Sequence, residues 1–342
     1  MREENDLKEE IKEFFADERP DVKETQPVKA QLAVLTMVLI GIFVTGYLPH
    51  LFKILQNNDF IDAETTTVES NRSAPLENTG NVTDPFAGVD IRGKAAFVYD
   101  VNTEKVLFIK NPDEQLPLAS LTKLMTALVA HEIVESDREV AIGVEAIQQD
   151  GDSGLQGGEK FVLDYLSDFT LIESSNDGAF ALAAAAGALL NHEDPTRTFV
   201  EAMNIRAGEL GLRETYFLNP TGLDISETEA GAFGSARDMA FLMDYILKNQ
   251  PGILERTKEE AFTLHNVAGV GHEAENTNVV ISEIAGLIGS KTGYTTLSGG
   301  NLAIAYDASL NRPIVVVVLG STINGRFSDV LKLVEASRVA LK

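Results

Sequence analysis

Charge disappears from the chain between residues 30 and 52. From Ala30 to Phe52 there is no Asp, Glu, Lys or Arg, and Gln31, Thr36 and Thr45 are too scattered to form a polar face. A helix of these 23 residues would be about 34 Å long, enough to cross a hydrocarbon core of about 30 Å. The pattern predicts a transmembrane helix. A core helix of this length usually keeps a polar stripe, and a cleaved leader would begin earlier, be shorter and end at a small-x-small site. Arg19, Lys23 and Lys29 precede the segment, whereas Lys53 stands nearly alone behind it until Arg72. That bias predicts a cytoplasmic tail over 1–29, a single pass through the cell membrane and an extracytoplasmic remainder.

Residues 53–90 are rich in Asn, Thr, Glu and Ser, carry Pro75 and Pro85 and show little periodicity. They read as a flexible linker with a reach of about 35 Å. The remainder, 91–342, has strand candidates at both ends and helical spacing between. Apolar runs at 95–100 and 105–109 flank the turn residues Asn102 and Thr103, which predicts a strand pair. Helical patterns cover 120–134, 163–172 and 178–190; strand patterns return at 288–292, 301–306 and 313–319, and an amphipathic helix closes the chain over 328–341. This order predicts one α+β domain whose antiparallel sheet joins the N- and C-terminal strands, with a helical middle as its own layer.

Composition narrows the chemistry. The 342 residues hold 52 acidic and 28 basic side chains, a net charge of −24, which repels phosphate backbones and argues against nucleic acid as a partner. The absence of cysteine removes disulfides, thiolate nucleophiles and thiolate metal sites. The five histidines (His50, His131, His192, His265 and His272) lack metal-ligand spacing, so no metal or other cofactor is expected.

Three short motifs carry candidate chemistry. Ser120 and Lys123, at i and i+3 near the start of a helix, share one face, so hydroxyl and amine can meet. Apolar neighbours (Leu121, Leu124, Met125, Leu128) would desolvate the lone ammonium and favour a neutral amine able to take a proton from Ser120. The plainer reading is an N-cap serine followed by a snorkelling lysine. Ser174 and Asn176 fall between two helices, where Ser and Asn also serve as ordinary caps; functionally they offer a hydroxyl relay and an amide for a substrate carbonyl. Lys291, Thr292 and Gly293 lie on a predicted strand, where Lys and Thr can receive a carboxylate and Gly293 lets a substrate backbone approach; a surface hairpin is the alternative. The order Ser-x-x-Lys, Ser-x-Asn, Lys-Thr-Gly weighs more than any one member.

With these motifs the sequence resembles the serine-type D-alanyl-D-alanine carboxypeptidases, the low-molecular-mass penicillin-binding proteins of the β-lactamase/D,D-peptidase-like fold. The segments at 119–127, 173–179, 217–224, 235–240 and 276–278 are similar to that family's active-site and supporting segments. The resemblance implies that Ser120 attacks the carbonyl of a terminal D-Ala-D-Ala bond in a peptidoglycan stem peptide, with Lys123 as base. It implies a proton relay through Ser174, a substrate amide held by Asn176, and a carboxylate received by Lys291 and Thr292. The oxyanion would be held by the backbone N–H groups of Ser120 and Tyr294, and β-lactams would be covalent inhibitors.

Two departures from the family pattern affect these expectations. Many relatives carry a second, β-rich domain and a C-terminal amphipathic anchor; here the sequence ends at Lys342 and the 30–52 helix is expected to take the anchor's place. β-Lactamases place a deacylating glutamate just before Leu-Asn, whereas Glu214 precedes Leu218 and Asn219 by one residue too many. Carboxypeptidase is therefore favoured over β-lactamase; an endopeptidase and a catalytically inactive cell-wall-binding module remain alternatives on the same fold.

Overall fold

A computed structural model describes residues 84–342, so the expected tail, the membrane helix and most of the linker lie outside the described residues. No helix among the described residues is long and apolar enough to cross a membrane. The chain opens with β1 (Ala95–Asp100), β2 (Lys105–Lys110), β3 (Leu116–Pro117), a 3-10 turn (Ala119–Leu121) and α1 (Thr122–Ile133). There follow β4 (Glu139–Ala141), β5 (Lys160–Val162), α2 (Leu163–Ile172), α3 (Asn176–Leu190) and α4 (Pro195–Glu209). Next come β6 (Tyr216–Phe217), β7 (Ala232–Gly234), α5 (Ala236–Asn249), α6 (Gly252–Glu255), β8 (Ala261–His265) and β9 (Gly271–Glu275). The last elements are β10 (Leu287–Thr295), β11 (Gly299–Asp307), β12 (Pro313–Ser321) and α7 (Gly325–Ala340).

As the sequence pattern predicts, the first and last strands form one antiparallel sheet, in the order β10-β11-β12-β1-β2. Its inner strands are apolar at nearly every position because both faces are covered. Phe97, Tyr99, Ala303, Ala305, Val315 and Val317 face the helical layer. Ala96, Val98, Leu302, Ile304, Val316 and Val318 alternate with them and pack with Val330 and Leu333 of α7. β10 is an edge strand, so one of its margins has no strand partner among the described residues.

The helical layer holds two helices that the sequence reading did not predict. α4 buries only Phe199, Met203 and Ala207, a stripe one residue wide on a polar helix. α5 buries Met239, Leu242, Met243 and Ile246. Both starts carried a local signal: Asp194 accepts from the Arg197 N–H ahead of Pro195, and Ser235 accepts from the Asp238 N–H. Part of the expected linker is also folded. Phe86 stacks on Phe108 with centroids 5.3 Å apart, Ile91 is buried, and Lys332 Nζ donates to the Asp90 carbonyl at 2.6 Å. Two apolar side chains give residues 84–91 something to bury, which outweighs their loop-like composition.

Candidate active site

Ser120 lies in the 3-10 turn rather than in the helix proper, because Ala119 before it adopts φ +48°. Left-handed backbone at a non-glycine residue is costly and persists where its surroundings enforce it. Here they do. Asn301, buried on β11, donates from Nδ2 to the Pro117 and Leu118 carbonyls at 2.9 and 3.0 Å and accepts the Gly320 N–H at 2.8 Å. On one side of the turn, a Cβ at Gly222 would stand 1.9 Å from the Ala119 carbonyl oxygen. On the other, a Cβ at Gly293 would stand 2.9 Å from the Leu118 oxygen and 3.2 Å from the Ser120 nitrogen. Only glycine lets β10 and the 219–224 loop close on the nucleophile's turn from both sides.

One helical turn on, Lys123 is wholly buried, and its Nζ has three oxygens around it: Ser120 Oγ at 3.0 Å, Asn176 Oδ1 at 2.7 Å and the Thr221 carbonyl at 2.8 Å. Burial lowers its pKa to about 7. A neutral amine has two N–H donors and one lone pair. Asn176 Oδ1 and the Thr221 carbonyl can only accept, so they take both donors and leave the lone pair for the Ser120 hydroxyl proton. The amide orientation of Asn176 is consistent, since its Nδ2 donates to the Asp150 carbonyl. Thr221 is held in turn by Asn219, whose Oδ1 accepts from the backbone of Thr221 and Gly222. Asp224 fastens the same loop to the end of β10 through the Thr295 hydroxyl at 2.9 Å.

The opposite wall is β10. Lys291 is also buried, and its Nζ donates to Ser174 Oγ at 2.9 Å and to the Thr292 carbonyl at 3.0 Å. Its pKa is lowered well below the ordinary value, first by burial, then by the charges of Lys123 and Arg326, against an opposing pull from Glu173. Ser174 itself sits at φ +62°, a second strained backbone at the cleft. Its hydroxyl bonds Lys291 rather than Lys123, so it belongs to the carboxylate wall as well as lying beside Asn176. Thr292 places its hydroxyl 2.6 Å from that of Thr277, and half-exposed Tyr294 follows on the same strand.

Ser120, Lys123, Ser174, Asn176, Lys291, Thr292 and Gly293 therefore meet around one cleft, although the motifs are separated by more than 50 residues. Glu214 does not join them: its backbone N–H bonds Asp238, and its carbonyl accepts from Gln115. Sequence reasoning missed Arg326. In the first turn of α7 its Nη1 donates to the Gly293 carbonyl at 2.7 Å, while its Nε is buried without a partner. The sequence pattern starts the last helix at 328, so only in the folded chain does this cation stand in a first turn, against the macrodipole. The arrangement provides a hydroxyl, a base aimed at it, and two further basic side chains, Lys291 and Arg326, beside a strand edge, which is machinery for acyl transfer from a peptide ending in an anion. Among the described residues no cluster of His, Asp or Glu is arranged to hold a metal ion.

The chain is similar in sequence and in fold to known proteins. A family model described as D-alanyl-D-alanine carboxypeptidase matches residues 78–322. The curated D-alanyl-D-alanine carboxypeptidase DacF of Bacillus subtilis is 33% identical over 71% of this chain. That match spans only 61% of DacF's own length. Among solved structures, penicillin-binding protein D2 of Listeria monocytogenes in its ampicillin-bound form is 27% identical, with a TM-score of 0.59 over 73% of this chain and 98% of that one. A mutant of the Streptomyces K15 DD-transpeptidase is 25% identical, with a TM-score of 0.66 over 74% and 99% of the two chains.

Proposed function

The chain belongs to the D-alanyl-D-alanine carboxypeptidase family, and from that premise we propose that it is a serine D,D-carboxypeptidase that trims peptidoglycan stem peptides ending in D-Ala-D-Ala. The peptide lies along the open edge of β10 with its terminal carboxylate toward Lys291, Thr292 and Arg326. Ser120 Oγ adds to the carbonyl of the last peptide bond as its proton passes to Lys123 Nζ. The backbone N–H groups of Ser120 and Tyr294 are the oxyanion donors in this reading. Collapse breaks the C–N bond, Lys123 returns the proton to the leaving nitrogen, and D-alanine departs, leaving an ester on Ser120. Water hydrolyses the ester and releases the shortened peptide. Lys291, drawn below its ordinary pKa in the empty cleft, gains a counter-ion when the carboxylate enters, which favours its charged form.

The single observation that carries this reading is the fully buried Lys123 amine, 3.0 Å from Ser120 Oγ, with its other contacts confined to obligate acceptors. The same site explains why a β-lactam, an acyl donor with a carboxylate, would acylate Ser120. The uncharged stretch at 30–52 and its flanking bases support anchoring of the domain outside the cell membrane on a short linker. A fluorescent penicillin should label the full chain covalently, and Ser120→Ala should abolish both the label and release of D-alanine from an acyl-D-Ala-D-Ala peptide. Undiminished labelling in that variant would falsify the assignment.

A further inference from the structure

Thr277 lies in the short segment between β9 and β10, and its hydroxyl has one hydrogen-bond partner among the described residues, the Thr292 hydroxyl at 2.6 Å. The converse holds for the Thr292 hydroxyl. The segment is fastened on both sides of Thr277. Asn276 Nδ2 donates to the carbonyls of Thr257 and Glu259, each at 2.9 Å, and Asn278 Nδ2 donates to Ser290 Oγ on β10 at 3.0 Å. The Thr277 N–H reaches the Ile172 carbonyl at 3.3 Å, at the end of the helix that leads to Ser174. Thr277 thus bridges the two walls of the cleft, and its hydroxyl is held in place before any substrate arrives.

Each of these hydroxyls has one proton to give, so in the empty site one donates to the other. A carboxylate only accepts. When it contacts Thr292, the Thr292 proton must turn toward it, and the vacated lone pair then accepts the proton of Thr277. The result is a chain from Thr277 to Thr292 to carboxylate in which each bond polarises the next. We propose that Thr277 is a positioning residue that commits the Thr292 hydroxyl to donating toward the terminal carboxylate, and thereby sets the preference for peptides with a free C-terminal anion. The inference rests on the reading of Thr292 as a carboxylate contact.

The test uses the full chain and two thioester substrates with one acyl-D-alanyl donor, whose thioglycolate leaving group bears either a free carboxylate or its methyl ester. Thr277→Val should raise KM for the free acid about fivefold, the effect of one neutral hydrogen bond and of the polarisation it lends the Thr292–carboxylate bond, with less than about a twofold change in kcat or in either constant for the ester. Thr277→Ser should restore the preference. Thr277→Ala removes the hydroxyl without a new methyl in its place and supplies the same readout if the valine chain does not fold. Equal effects on acid and ester, or no effect on either, would overturn the proposal. Thr292→Val separates the premises: if it abolishes the preference while Thr277→Val does not, only the role of Thr277 fails. If Thr292→Val leaves the preference intact, the carboxylate assignment itself is wrong.

Discussion

Lys123 and Asp168 are both driven by burial to a pKa of about 7, yet their surroundings differ in kind. Lys123 meets only neutral oxygens, one of which belongs to a hydroxyl with a proton to give. Asp168 meets the Arg256 guanidinium at 2.9 Å and lines a cavity of about 540 Å³ with His131, Asp164, Glu255, Arg256 and Glu259. There the guanidinium opposes the upward push of burial, and the hydroxyls of Ser136 and Tyr165, which also line the cavity, make no hydrogen bond to Asp168 among the described residues. The cavity is large and its carboxylate is perturbed, but no hydroxyl is hydrogen-bonded to that carboxylate as Ser120 is to Lys123. A displaced pKa marks a reactive group only when a neighbour can exchange a proton with it in a useful direction.

The strongest way to break this contrast is to neutralise each group in turn. Lys123→Met should reduce the rate of acylation by a fluorescent penicillin by at least about a thousandfold, because the Ser120 hydroxyl loses its base. Asp168→Asn should leave that rate within about twofold. Comparable losses in both variants would erase the distinction.

Next in size is the pH dependence. Acylation needs neutral Lys123, so kcat/KM should fall about tenfold per pH unit below pH 7 as the amine protonates, and level off above it. The midpoint should stay unmoved in Asp168→Asn. An ascending limb that shifts with that substitution would mean that Asp168 titrates into the active site.

A smaller effect belongs to stability. The pKa of Asp168 is raised in the folded chain from 3.8 to about 7, so folding favours its protonated form. Its contribution is fully present below about pH 4 and is lost as the pH rises through 7. Asp168→Asn should flatten that part of the dependence of Tm on pH; a slope equal to that of the parent would show that Arg256 holds the carboxylate ionised throughout. The smallest expected change sets the baseline. Arg197 and Glu201 pair at 3.1 Å on the surface, and Arg197→Ala should alter stability by less than about 0.5 kcal/mol in a denaturant titration.

Much of this molecule was legible in its sequence, because both signals used are local. The apolar runs in β1 and β12 announced strands. The boundaries of α2 coincide with the expected 163–172, and the three motifs identified seven residues that converge. What escaped has a common cause. The third partner of Lys123 is the carbonyl of Thr221, 98 positions away, and a backbone oxygen leaves no trace in residue identity. Arg326 acts on Gly293 from a helix that the pattern placed two strands later, and Thr277 matters through a hydroxyl contact that only folding creates. α4 escaped because three buried side chains are too thin a stripe to stand out against its polar positions.

The sheet order has a mechanical consequence. Residues ahead of Asp84 join the folded domain through the segment that leads into β1, which is flanked on one side by β2 and on the other by β12. Tension transmitted from that direction is delivered to an interior strand, clamped by hydrogen bonding along both margins. It would have to deform β12 and β11 before disturbing the strand that carries Lys291 and Thr292. Under such a pull the strand edge at Lys291 and Thr292 would keep its register.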